Sequence, residues 1–576
     1  MPGLFGYVDN NAQSRDDNVL KAMQNLLIYV DGYKSEPFYH ENGVHAGYCA
    51  PSFETVDQHT ALIDGIACWF DGEIHNVDGL TGISPSLPNT SSIKELIISA
   101  YKSGTLMDIL KKADGYFSAV IYDTKNQQIK LITDRFGFKL LNYAIHNGKI
   151  LWATECKALT AVPGFKISVD RQSVDDYMTY GTLYGGRTWL DGVCVLDQAS
   201  VLTFDMRSGS VNKERYWSPD EIIPFTGKLD IREYCEEWGR LFKRAVAKRT
   251  DERERTGLFL SGGLDSRAIL AAMPLPGDKI NAVTFGRDGC DDGKFAAMAA
   301  KVKGANYQFF PLRIDGWFRK ACLGVWATDG ALNISSQMGI EHLAAFSKLF
   351  EVNMTGMGGG VMQGGMEPGA AVYNIYGAAK DGISGLHMRN RRFIRTGVRL
   401  DESFFRVRIP YYDNDLYSFA IAVPEHIRRK GFIINKALMH NFPEFYKSIP
   451  WQKTGVPISL PPLLIEAGSF YKRLLSRSKR KLQSYGFPVS DTRLFFNVSE
   501  TMNAKDNQTL AANLLMDKNS FYHEYIPDTT ATRAIHKYAN LKVERKYRIL
   551  TFEIWMRQLN DPVFREWTLN ALNNID

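Results

Sequence analysis

The chain has 576 residues, of which 45% are hydrophobic and 23% are charged, and its formal net charge is +6. This composition is typical of a folded globular protein, and the length predicts two to four domains. A charge this small gives no electrostatic footprint for nucleic acid, so we expect no nucleic-acid partner. No apolar run approaches the ~18 residues that cross a bilayer, and no signal-peptide pattern opens the chain. We expect a cytoplasmic protein without a membrane span.

The seven cysteines are scattered, without a CxxC pair or a metal-like spacing to histidine. This pattern predicts reduced, mostly buried thiols. One local basic cluster stands out, at Lys472, Arg473, Arg477, Lys479, Arg480 and Lys481. Such a cluster contacts RNA, an acidic peptide or a membrane surface, or it forms a solvated helix face, which is the interpretation we favour.

The first two hundred residues are rich in predicted strands, at 4–8, 65–70, 117–122 and 129–133. Residues 92–102 and 106–112 have helical spacing, and the mixture predicts an α+β layered domain. Between residues 208 and 224 the pattern weakens into polar, proline-bearing sequence. We place a domain boundary there.

After the boundary, strands and helices alternate. Residues 231–250 read as a long amphipathic helix, followed by a short apolar strand at 258–260 and a second strand at 280–286. A helix begins near Ser266, directly after the small-residue loop Ser261-Gly262-Gly263. This alternation predicts a parallel, doubly wound sheet with its ligand crevice at the carboxyl ends of the strands. Beyond residue 404 the pattern is mainly helical.

The loop from Ser261 to Ser266, SGGLDS, has the features of a phosphate cradle. A strand that runs through small residues into a helix N-terminus gathers unpaired backbone N–H groups at a point where the helix dipole favours negative charge. Asp265 repels a phosphate but can hold a magnesium ion that attracts one. The alternative is an ordinary strand–turn–helix. The six-residue string resembles the PP-loop of enzymes that split ATP between the α- and β-phosphates.

Several segments together resemble the glutamine-dependent asparagine synthetase family (class B), in the family's own order. The amidotransferase half is matched by GLFG at 3–6, DGEIHN at 71–76, DRFGFK at 134–139 and ATECKAL at 153–159. The synthetase half is matched by SGGLDS at 261–266 and RIPYYD at 408–413. The resemblance implies an N-terminal-nucleophile-like α+β layer, a glutaminase-like domain over 1–215, and an α/β PP-loop ATP pyrophosphatase domain over 225–576 with a helical C-terminal part.

Three departures from the family argue against glutamine hydrolysis. Pro2 stands where the family exposes a nucleophilic cysteine, and proline has no thiol. Asp71 replaces an oxyanion-hole asparagine, where a negative charge raises the barrier. The family's SDTE segment reads SIKE at 92–95. These losses are similar to those of β-lactam synthetase and lasso-peptide cyclases, in which an amine within the substrate replaces ammonia.

In the synthetase half, the resemblance implies an acyl-adenylate intermediate, formed from ATP with release of pyrophosphate and attacked by a nitrogen nucleophile. Asp265 is the implied magnesium ligand, and Lys453, in WQKTG at 451–455, is the implied catalytic cation. Asp292 matches an acidic site position, or it is a helix N-terminal acid favoured by the dipole. The implied nucleotide-binding residues are Leu260, Ser261, Gly262, Gly263, Asp265, Ser266, Val283, Thr284, Phe285, Gly356 and Gly358.

A second glycine-rich loop of the family carries acids that help to bind magnesium and pyrophosphate. The matching stretch, 356–365, keeps its glycines but has no acid. Asp265 is then the only clear carboxylate for the metal, and Glu367 or Asp329 is a candidate to compensate. We expect the acyl pocket in the loops at 326–336 and 374–392. The second loop carries His387, Arg389, Arg391 and Arg392, which meet an acidic group or face solvent.

The sequence therefore predicts an ATP- and Mg²⁺-dependent amide-forming ligase that releases AMP and pyrophosphate. Its substrate is a carboxylate, either a small acid or a peptide that undergoes macrolactam formation. In the peptide case we expect a precursor peptide and a partner protease as partners. Two alternatives stay open: a non-catalytic asparagine-synthetase-like subunit or scaffold, favoured by the acid-free loop, and an ammonia-dependent asparagine synthetase.

Overall fold

A computed structural model describes residues 3–9, 17–54, 60–81, 92–362, 390–428, 432–484, 494–526 and 543–572. The first part of the chain is built from β1 (Gly3–Val8), β2 (Tyr33–Ser35), β3 (Tyr39–Glu41), β4 (Val44–Pro51), β5 (Thr60–Ile63), β6 (Ile66–Ile74), β7 (Gly115–Asp123), β8 (Gln128–Thr133), β9 (Asn142–His146), β10 (Lys149–Ala153), β11 (Val193–Val195), β12 (Ser200–Asp205) and β13 (Val211–Arg215). Its helices are α1 (Asp17–Leu27), α2 (Val77–Thr81), α3 (Ile93–Lys102), α4 (Leu106–Lys112) and α5 (Arg171–Tyr180).

These strands form two antiparallel sheets. One sheet has the order β11-β9-β10-β1-β4-β2, with β3 also paired to β4, and the other has the order β13-β12-β8-β7-β6-β5. Apolar side chains from both sheets, among them Trp69, Val120, Trp152 and Leu202, fill one buried cluster. Helix α3 packs on β6, while α1 packs on β1 and β4 of the other sheet. The first part is thus an α+β layered unit.

The second part is organised around a parallel sheet formed by β14 (Thr256–Phe259), β15 (Ile280–Gly286), β16 (Asn306–Pro311), β17 (Val352–Met354) and β18 (Arg406–Arg408). The strand order is β16-β15-β14-β17-β18, and every neighbouring pair runs parallel. Because later strands are added on both sides of β14, the chain changes direction across the sheet beside the carboxyl end of this strand. That position is where open α/β sheets bind ligands.

The second part also contains helices. They are α6 (Ile231–Ala247), α7 (Asp265–Ala272), α8 (Asp291–Lys303), α9 (Trp317–Ala327), α10 (Leu343–Leu349), α11 (Gly359–Met362), α12 (Asn414–Ala422), α13 (Glu425–Arg428), α14 (Phe432–Asn441), α15 (Pro443–Tyr446), α16 (Pro462–Ser484), α17 (Val498–Asn503), α18 (Lys505–Met516), α19 (Tyr522–Tyr525), α20 (Val543–Asn560) and α21 (Pro562–Leu569). Helix α6 shows why they form: Asp230 caps its first turn, and Trp238 and Phe242 bury its apolar face.

The predicted two-part architecture and the parallel sheet of the second part are confirmed. The predicted strands at 4–8, 65–70, 117–122, 129–133 and 280–286 correspond to β1, β6, β7, β8 and β15, within two residues at most ends. The strand predicted at 258–260 begins earlier, at Thr256, and Leu260 already lies beyond its end. The long helix predicted at 231–250 ends at Ala247. The domain limits of 1–215 and 225–576, and the N-terminal-nucleophile relationship, stay predictions.

Buried ion pairs join the two parts. Arg408 of β18 donates to Glu73 of β6, at 2.7 Å for the closest N–O pair. Arg249, which is fully buried, pairs with Asp114 (2.7 Å) and with Asp413 (3.3 Å). Burial acts to raise the pKa of Asp114, but the charge of Arg249 outweighs it and holds this pKa at about 2. The interface is therefore electrostatic as well as apolar.

We expect Arg249→Met to lower the free energy of unfolding by about 3–5 kcal/mol at pH 7, because it leaves two buried carboxylates with reduced compensation. Asp114 titrates at about 2 in the fold and at about 3.9 in an unfolded chain. Its stabilising contribution is present above pH ~4 and is lost as pH falls toward 2. The difference between wild type and variant in urea unfolding should therefore shrink over that interval. Arg253→Met, at an 89% exposed side chain, is the control, and an equal effect there would contradict this account.

Candidate nucleotide-binding site

The loop between β14 and α7 lies at the carboxyl end of the strand beside which the chain changes direction. Its first residue, Leu260, is tied to β15, because its N–H donates to the carbonyl of Val283 (2.9 Å) and its carbonyl accepts from Thr284 Oγ1 (2.6 Å). Ser261 to Leu264 then turn the chain, and α7 begins at Asp265. The predicted strand–loop–helix geometry is present at the predicted residues.

The expectation of unpaired amides in this loop is wrong for three residues. Ser261 N–H donates to Ser266 Oγ (3.1 Å), Gly263 N–H donates to Ser261 Oγ (3.1 Å), and Gly262 N–H donates to Asp292 Oδ1 (3.0 Å). The two serine hydroxyl oxygens are themselves 3.1 Å apart. The loop is held in shape by its own side chains, so its polar groups are positioned before any ligand arrives.

Gly262 is fixed from three directions. Besides the contact of its N–H with Asp292, its carbonyl accepts from the N–H of Gln452 (3.0 Å) and from Arg267 Nη2 (3.1 Å). A Cβ at this position would lie 2.8 Å from the Cβ of Gln452. Asp292 is on the first turn of α8, as its helix interpretation expects, and burial raises its pKa. Its role in a ligand site stays a prediction. Because a Cβ at position 262 would collide with Gln452, only glycine fits where the loop crosses the segment that carries Gln452.

Arg267 is a residue that sequence reasoning missed. Its side chain is fully buried and also donates to the carbonyls of Phe445 (3.3 Å), Ile449 (3.2 Å) and Pro450 (2.9 Å). A buried guanidinium that binds several carbonyl groups fixes the chain segments that carry them. The available signal was a charged residue directly after Ser266, on the face of a helix otherwise predicted to be apolar.

The second glycine-rich loop packs directly on Asp265. A Cβ on Gly359 would lie 2.2 Å from Asp265 Cγ, and one on Gly356 would lie 3.0 Å from Asp265 Cβ. Gly358 has φ +90°, and Tyr412 occupies the space that its side chain would need. The structure thus brings Gly356 and Gly359 next to Asp265, while the nucleotide-binding roles of Gly356 and Gly358 stay predictions. Glu367 and the part of this loop from 363 onward lie outside the described residues.

The donor set fits a magnesium ion that keeps several waters and phosphate oxygens. Asp265 supplies one carboxylate beside the loop, and Mg²⁺ needs only one or two. Among the described residues, no group of three or more His, Cys, Asp or Glu side chains could hold a metal ion without other donors. Asp329 does not supply the missing acid, since it pairs with Lys157 (3.2 Å) and Arg399 (3.3 Å). Although burial acts to raise it, these two cations hold the pKa of Asp329 below its usual value.

Lys453 lies on the segment that holds Gly262. It is exposed, follows Gln452 directly, and its Nζ is 5.4 Å from the centroid of the Trp451 ring. Lys472 of α16 contacts the same segment, since its Nζ donates to the carbonyl of Gln452 (2.8 Å) and to the carboxylate of Asp291. The segment 451–455 is therefore anchored on both sides, with Lys453 on its exposed surface.

The three residues predicted to contact adenine, Val283, Thr284 and Phe285, differ in how far their side chains are buried. The side chains of Val283 and Thr284 are buried, and the hydroxyl of Thr284 is engaged with Leu260. Phe285 is half-buried and packs edge-on against Phe259, at 5.6 Å between ring centroids. Of the three, Phe285 has the side chain most available to a ligand.

Arg391 and Arg392, two of the predicted acyl-pocket arginines, do not face solvent. Arg391 Nε donates to the carbonyl of Gly137 (2.9 Å), and Arg392 Nη2 donates to the carbonyl of Arg187 (2.6 Å). Both side chains are buried against the first part of the chain. The alternative of a solvent-facing role is therefore wrong for this pair, while residues 374–389 lie outside the described residues.

The segment that the resemblance aligns with the family's oxyanion hole contains a cluster of ion pairs. Asp71 is fully buried, its carboxylate lies 3.4 Å from Lys139 Nζ, and it accepts from the hydroxyl of Tyr48 (3.4 Å). Lys139 also lies 3.4 Å from Glu402, which comes from the second part of the chain. Burial raises the pKa of Asp71. Ser92 caps α3 by accepting from the N–H of Glu95, and Pro2 lies outside the described residues.

Comparisons with known proteins agree with this architecture. Residues 1–217 match the glutamine amidotransferase domain family, and residues 237–383 match the asparagine synthase family. The two matches follow one another along the chain in this order. The loop from Ser261 to Ser266 and the acid-free loop from Gly356 both fall in the second match.

Individual relatives are similar at low identity. Asparagine synthetase (glutamine-hydrolyzing) 2 of Bacillus subtilis is 25% identical over 47% of this chain and 38% of its own length. Carboxyethyl-arginine beta-lactam-synthase of Streptomyces clavuligerus is 23% identical over 64% of this chain and 69% of its own length. A solved structure of glutamine phosphoribosylpyrophosphate amidotransferase from B. subtilis matches 54% of this chain and 81% of its own length at 10% identity, with a TM-score of 0.27. In the described residues, no helix is long and apolar enough to cross a membrane.

We expect Gly359→Ala to lower the affinity for ATP and magnesium by about tenfold or more. The added methyl group must displace the Asp265 carboxylate, and overpacking of this kind costs about 1–3 kcal/mol. Titration calorimetry with a non-hydrolysable ATP analogue measures the change. Gly79→Ala is the matched control, because a Cβ at Gly79 meets nothing within 4 Å. Unchanged affinity in Gly359→Ala would show that Asp265 is not part of the nucleotide site.

Proposed function

We propose that this chain is an ATP-dependent amide-forming ligase that activates a carboxylate as an acyl-adenylate. The observation that carries the proposal is the preorganised loop Ser261–Ser266 at the carboxyl end of β14, within the asparagine synthase match. The relatives support the bond type. Asparagine carries a side-chain amide and a β-lactam is a cyclic amide, so both names describe products with a new carbon–nitrogen bond.

In the proposed reaction, a carboxylate oxygen of the substrate attacks the α-phosphorus of ATP and pyrophosphate leaves. A nitrogen nucleophile then attacks the acyl carbon, and AMP leaves with loss of a proton from the nitrogen. The hydroxyls of Ser261 and Ser266 would donate to phosphate oxygens, and Asp265 would hold the magnesium ion. Magnesium, when bound, supplies positive charge to the phosphates. Lys453 would stabilise the negative charge that develops around the α-phosphorus.

We propose that the nitrogen does not come from glutamine. Asp71 and Lys139 form a buried ion pair where an amidohydrolase of this family needs a neutral oxyanion donor. An amine within the substrate is the alternative source, which makes an intramolecular amide, such as a macrolactam on a precursor peptide, the favoured product class. A small acid with its own amine satisfies the same chemistry.

The direct test is to incubate the protein with ATP, magnesium and candidate amino acids or peptides and to identify the nucleotide product. We expect AMP and pyrophosphate as products. When glutamine is supplied, we expect no glutamate to be released from it. Asp265→Asn should lower the rate by about 100-fold or more, as expected for the loss of a group that stabilises the transition state. Asp278→Asn, an exposed acid of the same part of the chain, is the control. Formation of ADP in place of AMP would contradict the mechanism.

A second variant isolates the role of Lys453. We expect Lys453→Met to lower kcat by about 10²- to 10³-fold while ATP binds nearly as well, because the positive charge acts mainly on the transition state. Lys447→Met is the matched control, since Lys447 is an exposed lysine six residues earlier. Stopped-flow or quenched-flow measurement of pyrophosphate release separates the chemical step from binding. An equal decrease of kcat in both variants, or a decrease of ATP affinity without a decrease of kcat, would show that Lys453 does not act in the chemical step.

A non-catalytic nucleotide-binding subunit is the second candidate, because the described residues of the second glycine-rich loop, Gly356 to Met362, include no acid. Metal-independent ATP binding without AMP formation would favour it. An ammonia-dependent asparagine synthetase is the third, and aspartate-dependent pyrophosphate release would identify it. The three candidates give different results in the same assay with and without magnesium.

A further inference from the structure

Helix α16 carries an apolar face that is open to solvent. Leu463, Phe470 and Leu474 are exposed by 79%, 64% and 51%, and Leu464 and Tyr471 are also more than half exposed. Exposed apolar residues normally occur singly, whereas a contiguous group marks a surface that another molecule covers. All five belong to this one helix of 23 residues.

Three of these residues, together with Ala467, form a continuous stripe, and Leu464 and Tyr471 widen the apolar face on one side to roughly 120° of the helix circumference. Leu463, Ala467, Phe470 and Leu474 follow one another at intervals of four, three and four, and each is exposed. At 3.6 residues per turn these positions fall within roughly 60° of the helix circumference. Intervals of three and four residues are those of a seam that packs against a second helix. The stripe therefore fits a helical occupant.

The opposite face of α16 packs on the nucleotide-site segment. Lys472 contacts Gln452 and Asp291, and a Cβ on Gly468 would lie 2.8 Å from the carbonyl oxygen of Thr454. Gln452 in turn donates to Gly262. The apolar stripe is thus one helix diameter, about 10 Å, from the segment that holds the loop Ser261–Ser266.

The charges beside the stripe define the partner. Arg473 and Arg477 are exposed along one edge, with Glu466 as the acid on the same edge. This edge is complementary to carboxylates placed next to an apolar seam. A second copy of α16 fits less well, because its arginines would lie against the arginines of the first copy. The single acid on this edge, Glu466, could neutralise only one of them.

A lipid surface fits the stripe less well than a polypeptide. Helices that lie in a membrane interface combine a wide apolar face with cations that reach the headgroups. Here the exposed arginines lie on one edge only, and Glu466 would be carried toward anionic headgroups with them. Lys472, on the opposite face, is bound to Asp291 and Gln452 and does not reach outward. We propose that the exposed face of α16 binds an acidic amphipathic helix of a partner polypeptide, next to the nucleotide site.

The test uses full-length protein without nucleotide, so that it stands apart from the ligase proposal. The probes are two labelled synthetic amphipathic helices of 21 residues with leucine seams, one flanked by glutamate and the other by lysine. We expect the acidic peptide to bind at least about tenfold more tightly in fluorescence anisotropy, with affinity falling as salt is raised. Arg473→Glu with Arg477→Glu should reverse the order of the two peptides. Phe470→Gln with Leu474→Gln should weaken both.

The control is Arg232→Glu with Arg240→Glu, a pair of exposed arginines on α6, which should change neither affinity. Far-UV circular dichroism and the urea midpoint establish that each variant is folded. If the double variant Arg473→Glu with Arg477→Glu does not fold, the single variant Arg477→Glu replaces it. Three results would overturn the proposal. The first is that both peptides bind equally well, and the second is that the protein binds anionic vesicles but neither peptide. The third is that the protein self-associates and that the double variant Phe470→Gln with Leu474→Gln abolishes this self-association.

Discussion

The backbone of Gly262 is the point on which the candidate site depends. Its N–H and carbonyl are both bound by other segments of the chain, the first by Asp292 and the second by Arg267 and Gln452. These partners come from α8, α7 and the segment 451–455. Because a side chain at position 262 would collide with Gln452, the three segments meet only around a glycine. The loop, the acid that follows β15 and the segment that carries Lys453 are therefore positioned together.

The same logic explains the second glycine-rich loop. In the family resemblance, this loop is expected to supply acids, and their absence suggested a weakened metal site. The structure shows that Gly356 and Gly359 lie so close to Asp265 that a Cβ has no room. The glycines therefore have a packing role that is independent of the missing acids. The first half shows a parallel change, since Asp71 is stabilised by Lys139, and Lys139 also reaches Glu402 across the contact between the two parts.

Local pattern predicted most of the fold. Apolar runs bounded by turns gave the positions of β1, β6, β7, β8 and β15, and the small residues after β14 gave the loop. The contacts that shape the site were not predictable in this way, because their partners are distant in sequence. Arg267 binds carbonyls about 180 residues later, and Asp329 is paired with Lys157 from the other part of the chain. A side chain's type shows that it needs a partner, but only the fold shows which partner it has.

The most direct test of the account is a crystal structure of the protein with magnesium and α,β-methylene-ATP, which cannot be cleaved at the bond in question. We predict that the phosphates lie against Ser261–Ser266, with the hydroxyls of Ser261 and Ser266 within hydrogen-bonding distance of phosphate oxygens and the metal beside Asp265. Density for the nucleotide at another place, or a loop without nucleotide at saturating concentration, would contradict the central claim.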